Sequence, residues 1–77
     1  MKFTAYNYSD HYLAIVHPSL VSDWESSLDS LGIKATKTEE LHQLEDNGIE
    51  QLCHGYTLDR NSSSYAAIMS FLSRTYI

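Results

Sequence analysis

The sequence predicts an α+β fold, a two-layer sandwich in which two main amphipathic helices cover one face of an antiparallel sheet of three to four strands. Three observations carry that expectation. The first 17 residues are β-rich and broken once by turn residues. Leu20, Trp24, Leu28 and Leu31 recur at intervals of 4, 4 and 3. Apolar residues recur in the same way near the C-terminus. Two helices that are apolar on one side need an apolar sheet face to cover.

Residues 2–8 alternate as a strand does, and Tyr12–His17 is nearly all apolar, as in a strand buried on both faces. Asn7, Ser9 and Asp10 supply turn chemistry between them, so residues 2–17 read as a hairpin. Pro18 then opens a helix over about residues 18–31. Its apolar stripe is Leu20–Trp24–Leu28–Leu31 with Val21 beside it. Asp23, Asp29 and several serines occupy the other side. Gly32 suits the left-handed position after the last turn, with Ile33 packing back onto it.

Residues 33–48 admit two readings. Ile33–Lys37 looks extended. From Thr38 the run Glu39-Glu40-Leu41-His42-Gln43-Leu44 has helical propensity, with Thr36 and Glu39 as a capping box and Gly48 as the stop. The rival is a long strand that turns at Asp46-Asn47-Gly48 into the next one. The three-residue spacing of Leu41 and Leu44 favours a short helix over 38–47. Residues 49–58 read as a strand with Leu52, His54, Tyr56 and Leu58 on one face and Cys53, Gly55 and Thr57 on the other. Asn61 or a following serine caps a last helix whose stripe is Tyr65, Ile68, Met69, Leu72 and Tyr76, with Ala66 and Phe71 at its margins.

At 77 residues the chain makes one compact domain, 1–77. Cys53 is the only cysteine, so no intrachain disulfide forms; this fits a reducing compartment. Lys2 is followed by Phe3–Asn7 rather than by a secretory apolar core, and the longest apolar run is too short to cross a bilayer. A cytoplasmic location and no membrane contact are therefore expected.

The most informative feature is where the charge lies. All ten carboxylates fall between Asp10 and Asp59, against two lysines in the same stretch, Lys34 and Lys37. The stretch carries a formal −8 and the whole chain −5. Such a chain repels phosphate, so direct nucleic-acid binding is not expected. Surfaces normally intersperse the two signs of charge. An uncompensated acidic face costs self-repulsion, which a partner rich in Lys and Arg offsets. The candidate partner-binding residues are Asp23, Glu25 and Asp29 on the first helix and Glu39, Glu40, Glu45, Asp46 and Glu50 on the following segment. Glu25 lies nearest the apolar stripe.

Other chemistry finds little support. Cys53 and His54 are adjacent on a strand and point to opposite sides, so they make no nucleophile–base pair. His11 and His17, six residues apart, are separated by roughly 20 Å on one strand. No metal-ligand spacing and no glycine-rich phosphate loop occurs in the sequence. No enzyme activity, cofactor or metal is expected.

In format the chain resembles small phage-encoded inhibitors of bacterial defence of the anti-CRISPR type. The shared features are a start at Met1-Lys2-Phe3, one compact acidic domain, many tyrosines and no tail after Ile77. The resemblance covers size and composition and assigns no residue. It implies an inhibitor that mimics nucleic-acid charge and occupies a basic, nucleic-acid-binding surface of a partner protein, with exposed tyrosines edging the acids. The alternatives are a ferredoxin-like regulatory module that senses a small ligand or metal near Cys53, His54 and Tyr56, and a subunit that assembles through an exposed strand edge.

Overall fold

In a computed structural model, described here over residues 1–75, the chain forms a four-stranded antiparallel sheet with two helices on one face. The order along the chain is β1 (Phe3–Asn7), β2 (His11–Val16), a 3-10 turn (Pro18–Leu20), α1 (Val21–Leu31), β3 (Ala35–Asp46), β4 (Ile49–Asp59) and α2 (Ser62–Thr75). The strands lie in the order β1-β2-β4-β3, so β1 and β3 are the two edges. No helix among the described residues is long and apolar enough to cross a membrane.

The first half follows the local signals. Ala14, Ile15 and Val16 are buried in succession, which requires cover on both faces of β2. His17 caps the entry to the helical region by accepting the Ser19 N–H at Nδ1 (3.1 Å). Pro18 opens a 3-10 turn, and α-helical geometry starts only at Val21. Gly32 takes the left-handed conformation (φ 67°). Its N–H and that of Ile33 reach back to the carbonyls of Asp29 and Leu28. Asn61 caps α2 by accepting the Ser64 N–H.

The middle of the chain corrects the expectation of a helix over 38–47. That segment belongs to β3, a 12-residue strand paired with β4 through most of its length. Asn47 (φ 55°) and Gly48 (φ 81°) are both left-handed, as a two-residue hairpin turn requires. Glu45 Oε1 accepts the Gly48 N–H at 2.6 Å and holds the turn. The three-residue spacing of Leu41 and Leu44 is real but reflects no helix face. Leu44 is buried at 5 % exposure on the side of the sheet away from the helices, and Leu41 is exposed on the helix side. Pairing with β4 overrides a propensity difference of a few tenths of a kcal/mol per residue.

Between Lys37↔Tyr56 and Leu41↔His54 the register shifts, so residues 38–40 all face Gly55. This bulge is pinned by Thr38, whose Oγ1 donates to the Glu40 carbonyl (2.8 Å) and accepts the Gly55 N–H (3.2 Å). A Cβ on Gly55 would stand 2.8 Å from the His42 ring and 3.0 Å from Thr38 Oγ1. Glycine is needed there for the close approach of His42 rather than for its dihedral freedom.

The main core lies between sheet and helices. Trp24, fully buried, meets Phe3, Phe71 and Tyr56 at centroid distances of 5.1, 5.2 and 6.2 Å. A second, smaller cluster of Ile15, Leu44 and Cys53 sits on the opposite face with Leu13 against it. The stripe of α2 is rotated from the expectation. Ser64, Ala67, Ile68 and Phe71 are buried, whereas Tyr65 and Met69 are exposed. Helix α2 packs against both α1 and the sheet, and small residues permit that closeness. Leu31 is also exposed, and Tyr76 lies outside the described residues.

Candidate functional site: the projecting acidic hairpin

Strand β2 pairs with β4 only as far as His54, so the part of β4 from Ile49 to Cys53 continues past β2 with β3 as its neighbour. The β3–β4 hairpin thus projects beyond the four-stranded body. Alternation places Leu41, Gln43 and Glu45 of β3 and Glu50 and Leu52 of β4 on one face, the side on which the helices lie. All five are exposed. Leu41 and Leu52 keep 47 % and 53 % of their surface in solvent, and Ile49 at the tip keeps 68 %. Glu45 and Glu50 stand directly opposite each other across the strands, a like-charge pair that disfavours the hairpin in isolation. Glu39 and Glu40 are exposed on the bulge. From Thr38 to Asp59 the chain has no lysine or arginine.

The eight carboxylates singled out in the sequence do not form one face. Glu39, Glu40, Glu45 and Glu50 belong to the projecting hairpin. Asp46 is there too, but its carboxylate accepts a hydrogen bond from the N-terminal ammonium at 2.7 Å, across 45 residues of sequence. That bond holds its pKa below the ordinary carboxylate value and compensates its charge. Glu25 is structural. Tyr56, buried in the core, donates its hydroxyl to Glu25 Oε2 at 2.7 Å, and Lys37 Nζ lies 3.5 Å from the same oxygen. The Tyr56 hydrogen bond is the main cause of a lowered Glu25 pKa; burial opposes it, and Lys37 adds to the lowering. Burial, and then Glu25, push the Tyr56 phenol well above its ordinary value. Asp23 faces the cleft between α1 and α2, where Arg74 also lies, whereas Asp29 lines a different cleft between α1 and β3 with Lys34 and Lys37.

The tyrosines are equally dispersed. Tyr6, Tyr8 and His11 form a chain of rings at the β1–β2 turn, with Tyr8 and His11 stacked at 4.9 Å, and Tyr12 packs near Tyr65 at 6.4 Å. His11 pairs with Asp59, at the end of β4 remote from the Asn47-Gly48 turn. The aromatic cluster is therefore at the opposite pole of the sheet and does not edge the acids. Leu41 and Leu52 are the apolar groups that share a face with Glu45 and Glu50, and Ile49 at the tip lies on the other face with Asp46. A helical reading of 38–47 hides the alternation that exposes them, and the Asn47-Gly48 turn between two β-compatible runs is the signal that reveals it.

Cys53 and His54 do point to opposite sides of the sheet. Cys53 is fully buried beside Leu44 and Ile15, and burial raises its thiol pKa. His54 lies opposite Leu41 on the helix side, and its Nδ1 is buried without a hydrogen-bond partner among the described residues. Cys53 therefore does not share a pocket with His54 and Tyr56. Among the described residues no three His, Cys, Asp or Glu side chains are grouped so that they could hold a metal ion. The element order β-β-α-β-β-α also differs from the β-α-β-β-α-β of a ferredoxin-like unit. No protein family, curated protein or solved structure matches the chain.

Proposed function

We propose that this chain is a non-enzymatic protein-binding domain whose projecting β3–β4 hairpin occupies a basic surface of a partner, of the kind that holds a nucleic-acid backbone. An inhibitor of the anti-defence type acts in this way. The observation that carries the reading is the joint exposure of Leu41 and Leu52 with Glu45 and Glu50 on one face of the hairpin, beside Glu39 and Glu40 on the bulge, with no cation on the hairpin beyond Lys37. An exposed apolar centre with a rim of one charge sign is how specific interfaces are built: the apolar groups supply affinity on desolvation, and the rim supplies orientation and association rate. Carboxylates engage the same Lys and Arg donors that otherwise hold phosphate oxygens. Asp23, Glu25, Asp29 and Asp46 are left out of this surface, because two of them lie in separate clefts and the other two face cations of the chain itself, Lys37 and the N-terminal ammonium.

The test starts from a partner captured from host lysate at low salt, with binding to the purified partner then measured against ionic strength. Glu39→Lys/Glu40→Lys and Glu45→Lys/Glu50→Lys should each weaken binding at least tenfold, chiefly through slower association. Wild-type affinity should fall as salt rises and the screening length shortens to about 8 Å. Leu41→Ser/Leu52→Ser should weaken it chiefly through faster dissociation. If both charge-reversal variants fold and bind as wild type at low salt, the basic-surface reading is wrong.

A further inference from the structure

The helices do not cover the whole of their side of the sheet. Along β4 that side runs from Leu58 and Tyr56, 2 % and 3 % exposed, through half-buried His54 to Leu52 at 53 %. The helical layer therefore ends near His54, and the outer half of the β3–β4 hairpin lies beyond it. Pairing sets the uncovered face in rows: His54 beside Leu41, then Leu52 beside Gln43, then Glu50 beside Glu45. Successive rows are roughly 7 Å apart. Leu41 and Leu52 are diagonal neighbours across the two strands. The Glu45–Glu50 pair stands on the tip side of these leucines, and Glu39 and Glu40 precede Leu41 on the bulge.

We propose that this face receives an α-helix of the partner, amphipathic and basic, which lies along the ribbon and extends the layer that α1 and α2 begin. The inference rests on the reading of the hairpin as the partner-binding surface and names the element it binds. Dimensions specify a helix. A two-stranded ribbon with its side chains is about as wide as the 10–12 Å of a helix. Apolar side chains one helical turn apart stand about 5–6 Å from each other, close to the row spacing of Leu41 and Leu52. From Glu40 to Glu45 the strand runs roughly 17 Å, the length of about 11 residues of helix. A helical stripe at i, i+4, i+7 and i+11, apolar in the middle and cationic at both ends, therefore sets its apolar pair on the leucines and its cations at the two groups of acids. A cation between Glu45 and Glu50 also relieves the repulsion of that pair. Other occupants fit less well. A strand added to β3 meets the bulge at 38–40, which interrupts the ladder. A second copy docked through this face would set Glu45 and Glu50 against their own equivalents, and nucleic acid would set phosphates against them.

Titration of the full chain with synthetic peptides of about 18 residues, followed by amide NMR shifts and circular dichroism, tests this. The probe is an alanine-rich helix former with leucines at the two central stripe positions and arginines at the two ends. One control has the same composition with its leucines moved to the opposite helical face, and another has a proline at its centre. The probe should bind at least tenfold tighter than either control, gain helicity on binding and shift the amides of Leu41, Gln43, Glu45, Glu50 and Leu52. Leu41→Ser/Leu52→Ser alters exposed positions only, so it should remain folded by circular dichroism and weaken the probe at least tenfold while leaving the controls unchanged. Equal binding of probe and controls, all weakened by Glu45→Lys/Glu50→Lys, would overturn the helix and leave the basic-surface reading standing. A probe that does not bind, or that shifts only other residues, would overturn the helix as well. The basic-surface reading falls separately, if the charge-reversal variants bind the captured partner as wild type does.

Discussion

The two hairpins of the sheet have opposite fates. The β1–β2 hairpin, residues 3–16, lies beneath α2, where it buries Phe3, Ala14 and Val16, and buries Ile15 on its far face. The β3–β4 hairpin, residues 35–59, is covered by α1 only over its base, where Tyr56 meets Trp24 and Glu25. Its outer half keeps two leucines and an isoleucine in solvent among carboxylates. Both are antiparallel ladders, so backbone pairing does not distinguish them. Cover does. Apolar burial is worth about 25 cal/mol per Å2, and only the base of the second hairpin collects it from the helices. The outer half is stable because Leu44 and Cys53 pack under it and the N-terminus bonds to Asp46. Its other face, with Leu41 and Leu52, is left exposed.

The sharpest way to break that contrast is to remove the side chain that ties both hairpins to the helices. Trp24→Ala should cost about 3–5 kcal/mol, comparable to the whole stability of a domain this small. Denaturant titration should show it largely unfolded, whereas Leu52→Ala on the uncovered half should move the midpoint little. Equal effects would mean that the outer hairpin is covered after all.

Gly55 marks the border between the two regimes. Gly55→Ala should destabilise by about 1–2 kcal/mol, because its Cβ would press on the His42 ring and on Thr38. Adding His42→Ala should recover part of the loss in a double-mutant cycle. Additive effects would show that His42 does not lie against Gly55.

A smaller effect tests the clamp at the hairpin base. Tyr56→Phe should cost about 1 kcal/mol, since Glu25 is half exposed and water can replace the lost donor. Its pH signature is more specific. The folded pKa of Glu25 is depressed, so its contribution is present above its unfolded value near 4.5 and is lost as pH falls through the folded one. The Tyr56 pKa is raised, so its contribution is present below its unfolded value near 10 and is lost as pH climbs toward the folded one. Thermal melts across pH should therefore show the wild-type advantage over Tyr56→Phe between those limits and its decline at both ends. A pH-independent difference would remove the Glu25–Tyr56 bond from the account.

The smallest effect concerns the tip. Glu50→Lys replaces a like-charge pair opposite Glu45 with an attractive one and should raise stability by about 0.2–1 kcal/mol in a thermal melt. The same change should weaken partner binding. A gain in stability with a loss of binding would mark these acids as retained for function, and a loss of stability would show that Glu45 and Glu50 are not opposed.

What the sequence determined by itself is local. Asn61 as a helix cap, Gly32 as a left-handed stop and the alternation of Leu52–Leu58 depend on neighbours a few residues away, and each is where the spacing places it. The crowding of every acid into Asp10–Asp59 is likewise a property of the sequence alone. The tertiary structure decided the rest. Residues 38–47 are extended because β4 supplies hydrogen-bond partners that no local propensity term contains. Glu25 is withdrawn from the acidic surface by a tyrosine 31 residues away and Asp46 by the N-terminus. Tyr65 and Met69 of the expected stripe face solvent because α2 answers to α1 as well as to the sheet. Spacing along a chain reports which side chains share a face; which faces are covered is settled by contacts between residues far apart in sequence, and those contacts here separate the structural carboxylates from the exposed ones.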